Sequence, residues 1–553
     1  MKAFTEPLLS LAGFEEMTKT AEKSSGLISV TGCIDAQKSQ MIYAFGGHRK
    51  NKLIVTFGEQ KAKELYDEYS FFDKEVVYYP SKDVLFYQSD IRGNLLTAER
   101  IRALKAIREQ ERVTLVTTFD ALMNTMAPIE KMWENVLTLE QGQLLDLKEI
   151  QAALIRMGYE KEYQVQTMGQ FSVRGGILDV FPLTEENPIR IELWGDEIDT
   201  IRYFDCESQK SIENIDRVSI YPAAELVLSD EEKAGGIEKL KAEAKRVSDK
   251  LRKQMKTEEA HRVTVMADEL TEEWGELSMY AGMDAFLSYF FDERVGLLDY
   301  FKPSDSLIFF DELTRCAEQG KLTETEFSES MKQRLAMGYI LPGQMNGLFT
   351  EKEIVAKLEK YSCIALGALD NKANGLHQLG SYGIHCQSVS PYNNSFELLI
   401  KDLKRYKKNG YRVILLSGSR TRAKRLSEDI TDQGITCFYT ENYDHELFEG
   451  QIMVCYGKVR RGFEYPILKF AVITESDIFG AQQKKKKRHR TYEGEKIQSF
   501  TDLSVGDYVV HENHGLGIYR GIEKLEVDKK VKDYIKIEYQ GGSNLYILSL
   551  IHI

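Results

Sequence analysis

The stretch Val30–Gln40, VTGCIDAQKSQ, decides the fold of the front half of this chain. Lys38 and Ser39 follow Gly32 at the spacing of a phosphate-binding P-loop, G-x-x-x-x-G-K-[ST]. Gln37 stands where the second glycine of that motif belongs. Because that glycine lets the backbone approach phosphate without interference from a Cβ atom, we predict a strand-to-helix turn that no longer holds ATP. Weak residual nucleotide binding is the alternative.

A second motif matches the other half of a nucleotide site. The apolar strand SLIFFDE (306–312) ends in Asp311 and Glu312, the shape of a Walker-B strand. In ATPases the aspartate holds Mg²⁺ and the glutamate orients the attacking water. The helicase form would continue Asp-Glu-x-His, whereas Leu313 and Thr314 follow here. The predicted degenerate nucleotide site therefore comprises Gly32, Gln37, Lys38, Ser39, Asp311 and Glu312.

Composition limits the class of protein. The chain has 553 residues, of which 42% are apolar and 29% charged, so we expect several globular domains. Its formal net charge of −13 argues against a protein that binds nucleic acid over most of its surface. No apolar run approaches the roughly 20 residues that cross a bilayer, and we expect a cytoplasmic protein. Seven cysteines without a C-x-x-C pair argue against a metal site or a disulfide framework.

The order of elements predicts an α/β fold. In residues 1–130 short apolar strands alternate with helices, which indicates a mostly parallel sheet covered on both sides. The pattern predicts strands at 27–32, 53–57, 76–80 and 113–118, and helices at 59–69 and at 97–109, the latter with Thr97 as N-cap.

Composition changes further along the chain. Residues 131–222 read as an α+β insertion of short strands, and 391–480 as a second small α/β domain. The basic run AQQKKKKRHR (481–490) is a linker candidate that could alternatively contact DNA phosphates. The remainder reads as a small β-barrel.

Three long motifs carry a family resemblance. FSVRGGILDVFPLTEENPIRIELWGDEIDTIRYFDCESQKS (171–211) closely resembles the domain shared by the excision-repair protein UvrB and the transcription-repair coupling factor (Mfd) family. RGFEYPILKFAVITESDIFG (461–480) resembles the third domain of that family. The CarD-like module of that family, which binds RNA polymerase, is resembled by residues 506–528, GDYVVHENHGLGIYRGIEKLEVD. The resemblance covers nearly the full chain.

This resemblance implies a domain order. The expected order is a degenerate RecA-like (P-loop helicase-type) lobe at 1–130, an inserted UvrA-binding α+β domain at 131–222, the return of the lobe at 223–390, a small α/β third domain at 391–480, a basic linker at 481–497, and a CarD-like RNA polymerase-interacting domain with an SH3/Tudor-like β-barrel fold at 498–553.

The resemblance also implies two docking surfaces. The UvrA-binding residues of the family map onto Arg174, Arg190 and Trp194, a mixture of guanidinium and aromatic groups that is typical of binding hot spots. The alternative is that Trp194 belongs to the core and Arg174 only flanks a turn. In the terminal module, Leu525 is the expected apolar contact of an edge strand that pairs with the RNA polymerase β subunit. The alternative is that Leu525 packs inside the barrel.

The expected function is a coupling scaffold that binds stalled RNA polymerase and recruits UvrA. The resemblance assigns ATP, Mg²⁺ and double-stranded DNA to a translocase motor that lies beyond the end of this chain, and no metal or cofactor to the chain itself. We expect a monomer that contacts no membrane, and the C-terminal LSLIHI suggests a truncated gene model. A UvrB-like ATP-dependent damage-recognition protein is the second hypothesis, and a stand-alone CarD-like regulator is the third.

Overall fold

The chain folds as a mixed α/β protein with two compact units, Met1–Gly480 and Ala481–Ile553. The computed structural model describes residues 1–45, 49–82, 94–276, 283–369, 375–480, 505–511, 515–527, 530–538 and 544–548. The linker predicted at 481–497 lies outside the described residues.

The first sheet has seven strands, all parallel to their neighbours. In spatial order they are Gln378–Gly383, Gly26–Thr31, Ser362–Leu366, Ser306–Asp311, Asn51–Thr56, Val113–Thr118 and Val77–Tyr79. Leu307 and Phe309 enter the core on one face of this sheet, and Ile308 and Phe310 enter the core on the other. Because both faces are covered, the strand reads as a continuous apolar run rather than an alternating one.

The second sheet and two short ribbons lie within residues 125–296. The sheet contains, in spatial order, Ser211–Ile215, Glu197–Phe204, Ile189–Trp194, Ile177–Val180, Gln170–Arg174 and Glu160–Lys161. The ribbons pair Leu137–Glu140 with Arg217–Ile220 and Thr125–Met126 with Val295–Gly296. Alternation is clear along Ile189–Trp194, where Ile189 and Ile191 are buried and Arg190, which lies between them, is less so. One face of the second sheet is therefore core and the other faces outward.

The third sheet shares an apolar core with the first. Its strands, in spatial order, are Gln387–Ser388, Phe463–Tyr465, Phe470–Thr474, Arg412–Ser417, Ile452–Tyr456 and Phe438–Tyr439. A single apolar cluster contains Ile28 and Phe309 from the first sheet together with Met453 and Phe470 from the third, and Phe4 of the N-terminal helix joins it. Residues far apart in the sequence thus share one core.

Helices cover these sheets. The α-helices are Lys2–Leu9, Phe14–Lys23, Asp35–Phe45, Glu59–Tyr69, Asn94–Glu109, Phe119–Met123, Ile129–Glu134, Leu147–Arg156, Asp230–Lys253, Thr257–Glu276, Leu287–Phe290, Leu313–Ala336, Glu351–Leu358, Phe396–Lys408, Arg420–Asp432 and Glu475–Phe479, and the 3₁₀ helices are Met283–Phe286, Leu297–Tyr300, Pro303–Asp305 and Pro342–Gly347. Among the described residues, no helix combines the length and the apolar character that a bilayer crossing demands.

The second unit contains a four-stranded antiparallel sheet. Its strands follow chain order: Tyr508–His511, Gly515–Val527, Lys530–Glu538 and Asn544–Leu548. Closure of these strands into a barrel stays a prediction.

Local patterns located several elements well. The strand Val113–Thr118 and the helix Glu59–Tyr69 have the predicted bounds. The helix predicted at 97–109 already includes Asn94, so Thr97 lies inside it and the prediction of Thr97 as N-cap is wrong.

Candidate functional site: a P-loop-like ion cluster and an exposed hairpin surface

The P-loop-like stretch forms a strand-to-helix turn of only three residues. The strand ends at Thr31 and the next helix begins at Asp35, so residues 32–34 connect them. Gln37, Lys38 and Ser39 therefore already lie within the helix and are buried. In a working P-loop a longer loop wraps the phosphate before the lysine. Here the first helical turn takes the place of that loop.

Two of the three backbone N–H groups of this turn are already bonded within the protein. Gly32 donates to the carbonyl of Ala368 at 3.2 Å, and Cys33 donates to that of Gly367 at 3.0 Å. Gly32 has φ +76°, and a Cβ atom built on it would lie 2.1 Å from the carbonyl oxygen of Ile384. Glycine is therefore required at this position by close packing of another backbone segment. The N–H groups of Gly32 and Cys33 do not turn towards a phosphate.

Lys38 is buried and is surrounded by three carboxylates, of which that of Asp311 is also buried. Its side chain is 1% exposed, and its Nζ atom lies 2.5 Å from Asp311, 2.9 Å from Glu312 and 3.0 Å from Asp35. An ammonium group has three N–H donors, and three carboxylates surround this one. The structure thus brings the predicted Walker-B acids and the P-loop lysine together, as the sequence suggested, but as a mutual ion cluster.

The protonation of this cluster follows from its geometry. Burial acts to lower the pKa of Lys38, but the carboxylates of Asp311, Asp35 and Glu312 outweigh burial and hold the pKa above its ordinary value. For Asp35, burial acts to raise the pKa, yet Lys61 and Lys38 bring it down to about 2. Lys38 and Asp35 are therefore both charged at neutral pH.

These residues do not fit a magnesium–nucleotide complex. A triphosphate would meet three carboxylates that already pair with the one lysine it needs, and Ser39, whose hydroxyl would hold Mg²⁺, is 2% exposed. Among the described residues, no group of three or more His, Cys, Asp or Glu side chains is arranged to hold a metal ion.

Two hairpin tips of the second sheet form the other candidate surface. One hairpin turns at Gly175–Gly176 and the other at Gly195–Asp196, and Leu193 donates a hydrogen bond to the carbonyl of Gly176 at 2.8 Å. The two tips therefore lie side by side at one end of the sheet. We refer to the outward face here, which carries Arg174, Arg190 and Trp194, as the tip surface.

The two arginines of the tip surface share one carboxylate. Arg190 contacts Asp179 through Nε at 2.7 Å and through Nη2 at 2.9 Å, and Arg174 reaches the same carboxylate at 2.8 Å. Asp179 is 1% exposed, and the Arg190 guanidinium also lies 4.4 Å from the ring centre of Phe204. Hydrogen bonding to Asp179 raises the pKa of Arg190. Arg190 is thus a rigid, mostly buried part of the surface rather than a free side chain.

Trp194 is 84% exposed and does not belong to the core. The alternative interpretation of a core tryptophan is therefore wrong. A large aromatic ring fixed on a strand and open to solvent loses little conformational entropy on binding, which suits an interface anchor.

Leu525 lies in the strand Gly515–Val527, where its backbone pairs with Lys532. Its side chain lies outside what the structure describes, and its role as a contact stays a prediction.

Sequence reasoning missed Asp179, Ile384 and Leu144. Asp179 carries a weak signal, since it is an acid at an alternating position of an otherwise apolar strand, ILDV. Ile384 contributes only its backbone carbonyl, which side-chain patterns cannot reveal. Leu144 lies in the loop 141–146, where an exposed leucine carries no distinctive pattern.

Two family models match parts of this chain. A model described as the UvrB interaction domain matches residues 137–226, which include the whole tip surface. A model described as the CarD-like/TRCF RID domain matches residues 503–548.

Curated relatives match most of the chain. A transcription-repair-coupling factor of Bacillus subtilis (strain 168) is 30% identical over 497 residues, which are 89% of this chain and 42% of the relative. One from Staphylococcus haemolyticus is 29% identical over 532 residues, 94% of this chain and 44% of the relative. One from Staphylococcus aureus (strain MRSA252) is 28% identical over 549 residues, which are 97% of this chain and 45% of the relative.

The chain spans less than half the length of these relatives. Over most of its own length it is a homologue of the transcription-repair-coupling factors, and it carries a UvrB interaction domain and a CarD-like/TRCF RID domain.

Proposed function

We propose that this chain acts as a docking scaffold in transcription-coupled nucleotide excision repair, binding stalled RNA polymerase and recruiting UvrA. One observation carries the proposal: a UvrB interaction domain and a CarD-like/TRCF RID domain occur on the same chain. The first accounts for recruitment of UvrA, and the second for contact with RNA polymerase. The scaffold works as a monomer in the cytoplasm.

The tip surface is the proposed UvrA-docking site. Asp179 fixes Arg174 and Arg190 in place, and Trp194 extends from the same strand as Arg190. This arrangement supports docking because rigid aromatic and arginine groups contribute most of the binding energy at interfaces.

The second unit is the proposed RNA polymerase contact. Its four antiparallel strands support an SH3/Tudor-like barrel, in which the strand containing Leu525 pairs with a strand of the polymerase β subunit.

The front lobe is proposed to be a degenerate RecA-like lobe without ATPase activity. The all-parallel sheet and the strand that ends in Asp311 support the RecA-like interpretation. The burial of Lys38 among three carboxylates supports loss of nucleotide binding. We assign ATP, Mg²⁺ and double-stranded DNA to the motor of the family rather than to the residues of this chain. The rival, a UvrB-like ATPase, needs the Lys38 ammonium free for phosphate.

Capture experiments test the scaffold. Immobilised full chain should retain purified UvrA and purified RNA polymerase, each in the absence of the other. Trp194→Ala should reduce capture of UvrA while capture of RNA polymerase stays the same. Failure of the wild-type chain to retain UvrA would reject the docking role of the second sheet, and failure to retain RNA polymerase would reject that of the second unit.

A further inference from the structure

A second exposed apolar side chain lies beside Trp194. Leu144 forms an antiparallel bridge with Glu197, and Glu197 is the direct cross-strand partner of Trp194. Two backbone bonds fix the bridge: Leu145 donates to Asp196 at 2.7 Å, and Ile198 donates to Gln143 at 2.9 Å. Side chains of directly opposed residues lie on the same side of a sheet. Leu144, Glu197 and Trp194 therefore form a row on one face.

Both apolar members of this row are open to solvent. Leu144 is 75% exposed and Trp194 is 84% exposed. Because strands lie about 4.8 Å apart, the two side chains are separated by roughly 10 Å. That spacing allows one partner segment to contact both at once.

Carboxylates lie beside the part of the row that contains Trp194 and Glu197. An open groove of about 700 Å³ lies next to Trp194, and its wall contains Glu140, Glu197, Asp199 and Asp216. Arg217 is the one basic side chain among the described residues of that wall, and it pairs with Glu140 at 3.2 Å. The groove therefore carries a net negative charge, which favours a cationic partner.

We propose that Leu144 and Trp194 together form the apolar anchor of the UvrA-docking surface, and that the docking segment of UvrA carries Lys or Arg next to an apolar side chain. This inference rests on the proposed function, because it names the second anchor and the partner chemistry of the same surface. Apolar anchors supply affinity, and the acidic groove selects the charge of the segment.

Titration of the full chain with UvrA tests the anchor. Leu144→Ala and Trp194→Ala should each weaken binding about tenfold. The double variant should weaken it by less than the product of the two, because one partner segment spans both side chains. Ile467→Ala is the matched control, since Ile467 is also 75% exposed but lies between strands of the third sheet. It should bind as the wild type does.

The charge of the docking segment is tested separately. Asp199→Lys should weaken binding of UvrA at low salt, and the difference from the wild type should shrink as salt rises. Equal or tighter binding by Asp199→Lys would overturn the assignment of a cationic segment.

Other outcomes separate this inference from the proposal beneath it. Wild-type chain that does not bind UvrA would overturn both. Normal binding by Leu144→Ala together with weak binding by Trp194→Ala would overturn the second anchor and leave the proposed function intact. Loss of self-association by Leu144→Ala in sedimentation, with UvrA binding unchanged, would assign the row to a contact between copies and overturn the inference.

Discussion

The Lys38 ion cluster and the tip surface both gather charged side chains around a buried carboxylate, but they direct them differently. In the Lys38 cluster, the ammonium is enclosed by Asp35, Asp311 and Glu312. At the tip surface, Asp179 lies beneath the arginines while Trp194 stays in solvent. The same kind of ion cluster thus closes one site and supports the other. A sequence pattern that resembles a nucleotide site can therefore form an ion cluster whose charges stabilise the fold.

The largest effect should follow from removing the ammonium of the Lys38 ion cluster. Lys38→Met leaves Asp311 buried without its cation and should lower the free energy of unfolding by about 3–5 kcal/mol. Urea unfolding measures this change. Lys61→Met is the control, because its ion-pair partner Asp35 is 69% exposed, and it should cost about 1 kcal/mol or less. Wild-type stability of Lys38→Met would contradict the structural role of the cluster.

Substitutions at two glycines test how tightly the P-loop-like turn and the hairpin tip are packed. Gly32 and Gly195 both have positive φ, but a Cβ atom would meet the Ile384 carbonyl at 2.1 Å in the first and nothing within 4 Å in the second. Gly32→Ala should cost about 3 kcal/mol of stability, from overlap and strain, and Gly195→Ala about 1 kcal/mol, from strain alone. Thermal unfolding distinguishes them. Equal losses would mean that the Ile384 carbonyl does not restrict Gly32.

Arg190 should prove a structural support of the tip surface. Arg190→Lys removes the bidentate contact with Asp179 and should reduce the stability of the second sheet by about 1–2 kcal/mol. Hydrogen exchange of the strand Ile177–Val180 reports this loss locally. Trp194→Ala is the comparison, and its exchange rates should match the wild type because Trp194 is exposed. Unchanged exchange in Arg190→Lys would show that its contact with Asp179 is dispensable.

The smallest expected effect is the loss of stability at low pH that follows from protonation of Asp35. The folded pKa of Asp35, about 2, lies below its ordinary value of 3.8, so its contribution to stability is complete above pH 4 and is lost as pH falls towards 2. Asp35→Asn should therefore have a lower free energy of unfolding than the wild type above pH 4, and the two free energies should converge near pH 2. Urea unfolding curves measured from pH 2 to above pH 4 check how this difference in stability depends on pH. A difference that grows as pH falls would contradict the lowered pKa of Asp35.

Sequence patterns within a segment predicted the bounds of those strands and helices that interactions within the segment determine. The bounds of Val113–Thr118 and Glu59–Tyr69 follow from β-branched and amphipathic runs within each segment. The meeting of Lys38 with Asp311 was also predictable, because strands of a parallel sheet end at one edge and the motif spacing identified both. The start of the helix Asn94–Glu109 was not, because Thr97 is a good cap by composition and is overridden by its context.

The unpredicted features depend on contacts between distant parts of the chain. The carbonyl of Ile384 lies against Gly32, more than 350 residues away, and a backbone atom leaves no trace in side-chain patterns. Leu144 gains meaning only from its bridge to Glu197, which places it beside Trp194. Such features require the register of the folded sheet.

Calorimetric titration of the full chain with ATP and Mg²⁺ tests the central claim most directly. The enclosure of Lys38 by three carboxylates predicts no heat of binding above that of dilution, in the wild type and in Lys38→Ala alike. Saturable, magnesium-dependent binding by the wild type that Lys38→Ala abolishes would contradict the account.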